Sequence, residues 1–246
     1  MSLSIGPPRA VLIDMDDTIL GGARRPDILR QVALDLAGAL NGHDPHELSQ
    51  RLELAFRAFW SDPARHKVAR FGVAAARRGV VREVFESLEG LSPQFADAFA
   101  DRFSATREAM TTLFPGALEG LQSLRNLDLR LGLITNGDGP GQRAKIERFN
   151  LAPWFDHIQI EGEMGFGKPE PRAYHHAAES LGVGITETWV VGDDLEWEVR
   201  APQRLGMTAI WCDGFVQGLP ADTDCRPDHI IHRLDQIAPL IRSGRR

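Results

Sequence analysis

Three carboxylates close an apolar run near the start of the chain, Val11-Leu12-Ile13-Asp14-Met15-Asp16-Asp17-Thr18. On an extended segment, residues two apart point to the same side, so Asp14 and Asp16 converge on one volume. At a separation of about 4 Å and an effective dielectric of roughly 20, two such charges repel by about 4 kcal/mol. A fold retains that arrangement when a divalent cation offsets it. Hard oxygen ligands with no His or Cys beside them favour magnesium over zinc. A carboxylate pair that calls for magnesium points to phosphate chemistry.

Three further segments carry chemistry of the same kind. Trp189-Val190-Val191 runs into Gly192-Asp193-Asp194, with Glu196 and Glu198 close behind, and supplies Asp193 as a third metal ligand. Leu131-Gly132-Leu133-Ile134 ends in Thr135-Asn136-Gly137, a hydroxyl and an amide able to donate to phosphate oxygens. Gly167-Lys168-Pro169-Glu170-Pro171 launches a helix and holds one lysine, whose charge neutralises carboxylate and phosphate alike. Each has a plainer use as well: Asp14 and Asp16 as turn or capping residues, Thr135 as a cap, Asn136 as a turn former, Lys168 as a solvated charge. Asp194 and Glu198 serve equally as partners of the ligands or as acids at a helix N-terminus.

Taken in order, the four segments resemble the haloacid dehalogenase superfamily, whose motifs are an Asp-x-Asp strand end, a Ser/Thr, a Lys and an acidic Gly-Asp-Asp loop. The resemblance spans nearly the whole chain. It implies Asp14 as nucleophile, Asp16 as general acid and base that also ligates magnesium through its carbonyl oxygen, and Thr135 as phosphate donor. It further implies Lys168 as charge organiser and Asp193 as metal ligand; Asn136 is a candidate for the phosphate on its amide alone. Asp194 and Glu198 depart from the Ser or Asn and the Asp common in relatives, which leaves their contact with metal direct or through water.

Elements that position these residues are legible in the same runs. Strand character recurs at Ala10 to Ile13, Leu129 to Ile134, Ile158 to Ile160, Trp189 to Val191, Ala209 to Cys212 and His229 to Ile231. Helix-like stretches separate most of them, the signature of a parallel sheet in an α/β, Rossmann-like core. From roughly Pro26 to Thr112 there is no convincing strand, and apolar residues recur at helical spacing. The expected organisation is therefore a core of residues 1–20 and 113–246 with an all-α cap of residues 21–112, matching the cap that the superfamily inserts between its first two motifs. Asp44-Pro45-His46-Glu47, Asp62-Pro63 and Ser92-Pro93 are helix starts, and Phe95, Ala98, Phe99 and Phe103 form an apolar stripe, so four or five helices are expected. Gly21-Gly22 and Pro115-Gly116 interrupt the pattern and read as hinges that let the insert move as a lid.

Other features are bland. Gly137-Asp138-Gly139-Pro140-Gly141 lacks the Lys-Ser/Thr pair of a nucleotide-binding loop and reads as a strand-to-helix connection. His175 and His176 are adjacent and diverge on a helix, so they form no metal pair. Phe59 to Lys67 mixes aromatics with cations, which suits a substrate-facing loop, core packing or a solvated face alike. The tail Arg242 to Arg246 reads as frayed and basic.

A formal net charge of -6, with arginines scattered, gives no cationic field for a nucleic acid polymer. Cys212 and Cys225 lack the spacing of a disulfide scaffold or zinc site and read as reduced thiols of a cytoplasmic protein. The N-terminal run through Ser2, Gly6, Pro7 and Pro8 has no basic region followed by a long apolar one, so neither secretion nor a membrane partner is expected. The expected function is magnesium-dependent hydrolysis of a small phosphorylated metabolite. The alternatives are a phosphomutase or a 2-haloacid dehalogenase on the same core, or an inactive ligand-binding relative. A phosphonatase would need a Schiff-base lysine in the insert, where Lys67 stands alone and nothing around it suggests activation.

Overall fold

The computed structural model describes residues 7–243. Residues Ser2 and Gly6 of the N-terminal run and the last three of the basic tail lie outside that range. Arg242 and Ser243, expected to be frayed, close the final helix.

The chain divides into two compact units, Gly22–Thr111 and the segments on either side of it. The flanking segments build a parallel sheet from β1 (Ala10–Ile13), β4 (Arg130–Thr135), β5 (His157–Ile160), β6 (Thr188–Gly192), β7 (Thr208–Cys212) and β8 (His229–Ile231) in the order β5-β4-β1-β6-β7-β8. All six expected strands are present, each within two residues of its expected bounds. The helices of this unit are α6 (Ala117–Arg125), α7 (Gly139–Arg148), the short α8 (Glu161–Met164), α9 (Pro171–Ser180), α10 (Ala201–Arg204) and α11 (Ile237–Ser243).

Strands buried on both faces read as continuous apolar runs, and β1 shows why. Val11 and Ile13 face one core with Leu121 and Leu124 of α6, Ile146 of α7 and Ile237 of α11. Ala10 and Leu12 face the other with Ala173, Tyr174 and Ala177 of α9. All four β1 residues are fully buried, and each large aliphatic there contributes about 1.5–3 kcal/mol relative to exposure.

A two-strand ribbon, β2 (Leu20–Gly21) with β3 (Thr112–Leu113), was not expected from the sequence. Two residues per strand are too few to show a period. Gly21 is a ribbon residue, and a Cβ on it would lie 2.3 Å from the Phe114 ring, so close packing accounts for this glycine. Nor is Pro115-Gly116 at the edge of a unit: Gly116, φ 81°, stands at the N-cap of α6 inside the core.

The unit Gly22–Thr111 contains α1 (Arg25–Asp35), α2 (Pro45–Ser61), α3 (Pro63–Ala69), α4 (Val73–Glu86) and α5 (Pro93–Ala109). The three expected starts cap as sequence chemistry demands: Asp44 accepts from the Glu47 amide, Asp62 from those of Ala64 and Arg65, and Ser92 from that of Phe95. Its core joins Leu29 and Val32, Leu52 and Phe56, Val81 and Phe85, and Phe99 and Phe103. Along α5 the buried stripe is Ala96, Phe99, Ala100 and Phe103; Ala98, expected in that stripe, is exposed, because two residues from both Ala96 and Ala100 it lies on the opposite side of the helix. Phe59 and Trp60 pack at the margin of this core, edge to face at 5.1 Å, and Trp60 meets His66 at 5.1 Å.

Candidate active site

The sheet order reverses at β1, which pairs with β4 on one side and β6 on the other. Ligands of open α/β sheets bind at such a switch point, beyond the carboxyl ends of the strands. That is where Asp14 and Asp193 emerge, each the residue after its strand, and where Thr135 ends β4. The Asp14 amide is held by the Val191 carbonyl at 2.9 Å, which ties β1 to β6 at the point where the carboxylates begin.

Lys168 lies at the centre. Its Nζ donates to Asp14 Oδ1 at 2.5 Å and pairs with Glu198 Oε1 at 2.6 Å, and the three side chains are almost wholly buried. The loop that delivers it is pinned by Asn136, whose Nδ2 donates to the Lys168 carbonyl at 2.7 Å while its Oδ1 accepts from the Lys168 amide at 2.9 Å. Both ends of the Asn136 amide are thus spent on the lysine's own main chain. Its side chain orients Lys168, and the second Nδ2 hydrogen is what it has left to offer a phosphate.

Burial pushes the Asp14 carboxyl up, Lys168 pulls it back, and the neighbouring Asp16 charge adds to the rise. Burial likewise raises Glu198, against the pull of Lys168. For Lys168 burial acts downward, but the two carboxylates outweigh it and keep the ammonium protonated. The cluster holds because Gly192 has no side chain: a Cβ there would lie 2.0 Å from Glu198 Cγ and 3.0 Å from Asp14 Cβ.

Asp193 is half-buried beside this cluster, with its carbonyl accepting from Trp211 Nε1 at 2.6 Å. Burial and then the charges of Asp14, Glu198, Asp17 and Asp194 drive its carboxyl well above the ordinary range. Asp194 accepts from the amides of Glu196 and Trp197, both at 2.9 Å, and so caps the π-turn Leu195–Arg200. Its amide in turn donates to Glu198 Oε2 at 2.9 Å. The π-turn therefore aims Glu198 back at Lys168. Of the two acids left open by the sequence, Asp194 is the cap and Glu198 the lysine's partner.

Among the described residues no cluster of three or more His, Cys, Asp or Glu side chains is shaped to hold a metal ion. The donor set nevertheless suits a hard cation. Asp14 and Asp193 are carboxyls that burial and neighbouring charge push toward the neutral form, a penalty that a divalent ion between them would remove. The Asp16 side chain is instead engaged by α7.

Asp16 is held by two residues that sequence reasoning missed. Lys145 Nζ donates to both its carboxylate oxygens, at 2.7 and 2.8 Å, and Gln142 Nε2 donates to Oδ2 at 3.0 Å. Gln142 also reaches Thr135 Oγ1 at 2.6 Å and the Asn136 carbonyl at 2.9 Å, and it is buried. Both lie on α7, whose N-terminus Asp138 caps by accepting from the Gly141 amide at 2.7 Å. Their spacing, three residues apart beside the apolar Ile146, places them on one helix face, but in a run with Arg143 and Arg148 nothing separates Lys145 from a surface charge.

His176 Nδ1 meets Gln159 Oε1 at 2.8 Å and His175 is exposed, so the adjacent histidines do diverge. Cys212 and Cys225 are free and buried, and burial with the nearby Asp193 and Asp14 charges pushes the Cys212 thiol up to about 12.

The profile of the haloacid dehalogenase-like hydrolases matches residues 8–206. The phosphoserine phosphatase of Thermus thermophilus is 34% identical over 93% of this chain and 97% of its own. The glyceraldehyde 3-phosphate phosphatase of Methanopyrus kandleri is 28% identical over 95% of this chain and 97% of its own. Among solved structures, the 2-haloacid dehalogenase of Pseudomonas syringae superposes with a TM-score of 0.61 at 27% identity, covering 96% of this chain and 98% of its own.

Proposed function

Since the chain belongs to the haloacid dehalogenase-like hydrolases, we propose that it is a magnesium-dependent phosphatase of small phosphate monoesters, with Asp14 as nucleophile. The observation that carries this reading is the buried Lys168 on Asp14 together with a second carboxylate, Asp16, two residues on and held in a polar cradle.

An Asp14 carboxylate oxygen attacks phosphorus, the bond from phosphorus to the ester oxygen breaks, and that oxygen takes a proton from Asp16. Asp16, now a carboxylate, takes a proton from water as the water oxygen attacks the aspartyl phosphate. Inorganic phosphate leaves and the Asp14 carboxylate is restored. Lys168 offsets charge on the transferring group throughout, and Thr135 donates to a phosphate oxygen. Magnesium, held by Asp14, Asp193 and the Asp16 carbonyl, would supply positive charge at the phosphoryl oxygens.

Asp16 also decides against dehalogenation. A halide leaves without a proton, whereas an alkoxide leaving group needs an acid. Two curated relatives are named for phosphoserine and glyceraldehyde 3-phosphate, and esters of that size head the substrate panel. Among the described residues no helix is long and apolar enough to cross a membrane. Two buried thiols suit a reducing compartment, in keeping with the cytoplasm.

The test is phosphate release from p-nitrophenyl phosphate and a panel of phosphometabolites, with and without magnesium, beside Asp14→Asn. Release that needs magnesium and is lost in Asp14→Asn supports the reading; halide release from a 2-haloacid without phosphate release overturns it.

A further inference from the structure

We propose that Gln142 and Lys145 of α7 are positioning residues that orient the Asp16 side chain so that its carboxyl, when protonated, can pass the proton to the leaving group; this rests on the phosphatase reading. Asp16 has a side chain that is 40% exposed, against 9% for Asp14. An aspartate so open has rotamer freedom, and a general acid must sit within hydrogen-bond reach of one oxygen atom. The fold removes that freedom from one side. Lys145 grips both carboxylate oxygens, and buried Gln142 grips one of them while also holding Thr135 Oγ1 and the Asn136 carbonyl.

A single amide nitrogen thereby joins the acid, the phosphate donor and the strand end that carries it. An Nε2 has two hydrogens and here meets three acceptors, so one hydrogen is shared. An arrangement of that kind has no purpose in the core of α7, whose buried apolar contact is Ile146. Lys145 is one-third exposed, and a helix face directed at solvent would satisfy it without Asp16. Both groups converge on one carboxylate instead.

The experiment separates leaving groups. p-Nitrophenolate departs without protonation, whereas an alkyl phosphate such as phosphoserine needs the acid. kcat/KM reports only steps through the first phosphoryl transfer, so water activation does not enter. Lys145→Met is expected to lower kcat/KM on the alkyl ester roughly tenfold to a hundredfold, while that on p-nitrophenyl phosphate stays within about threefold, the pattern that Asp16→Asn shows more strongly; Gln142→Leu, which also releases Thr135, should lower both and the alkyl ester more. Lys145→Arg should restore part of the loss, and far-ultraviolet circular dichroism with melting curves checks that the variants fold. Equal losses on both esters, or none, overturn the inference while the phosphatase reading stands. A wild-type enzyme that releases phosphate from neither ester sinks that reading and the inference with it.

Discussion

At the residue scale, the site is a problem in crowding charges and solving for them with one lysine. Removing Lys168 leaves Asp14 and Glu198 buried without their shared cation, and breaking a buried pair in this way costs about 3–5 kcal/mol. Lys168→Met is therefore expected to lose both activity and stability, the latter read from the urea midpoint. Gly192→Ala tests the same cluster from the backbone. Its Cβ would overlap Glu198 Cγ at 2.0 Å, so Glu198 must leave Lys168 or the strand must shift, at about 1–3 kcal/mol. The expected outcome is a lower unfolding midpoint together with a fall in kcat/KM. An alanine variant with wild-type kinetics would show that Glu198 does not matter to Lys168.

At the element scale, α7 is the helix on which the proton-transfer geometry depends, and its start depends on one side chain. Asp138→Ala removes the bond to the Gly141 amide, a loss of about 1 kcal/mol for a typical N-cap. Asp44→Ala removes the equivalent bond of α2, to the Glu47 amide, at a similar cost. The two should shift the unfolding midpoint alike. Only the α7 variant should also change the ratio of kcat/KM between an alkyl and an aryl phosphate, because α7 alone carries Gln142 and Lys145.

For the whole molecule, pH and metal are the variables that sum over groups. Burial lowers the His157 pKa; a hydrogen bond from its ring to Gln159 opposes this and the nearby His176 adds to it. The unfolded chain therefore binds this proton more readily than the folded one. Stability from this source is complete above the ordinary value of 6.5 and is lost as pH falls through it toward the folded value. Glu53 adds a second, lower window. Burial raises its carboxyl, but Arg25 and Arg57 outweigh that and depress it, so its contribution is present above 4.5 and lost below. Between pH 8 and 5.5 the urea midpoint of wild type should fall relative to that of His157→Asn; the difference between the two isolates this histidine, because the raised carboxyls of Glu198 and Asp193 act in the opposite direction in both. Magnesium is expected to raise the melting temperature by mass action if it binds the native site, and Asp193→Asn should weaken that rise. An unchanged melting temperature at millimolar magnesium would count against the metal ligands proposed here.

What the sequence by itself determined was the part written in local chemistry. Strands buried on both faces must be continuous apolar runs, so all six core strands were legible, as were the helix starts at Asp44, Asp62 and Ser92, whose side chains satisfy orphan amides a few residues away. Carboxylates at the ends of such strands marked Asp14, Asp16 and Asp193 for the same reason. Tertiary structure decided what depended on partners distant in the chain. Glu198 reaches Lys168 only because a π-turn follows β6 and Gly192 leaves the space, and Asn136 spends its amide on the Lys168 main chain 32 residues away. Lys145 meets Asp16 across 129 residues of sequence, and within its own helix it is one cation among several. A spacing rule sees neighbours along an element; the sheet order that sets β4 beside β1, and so α7 beside Asp16, is a property of the folded chain.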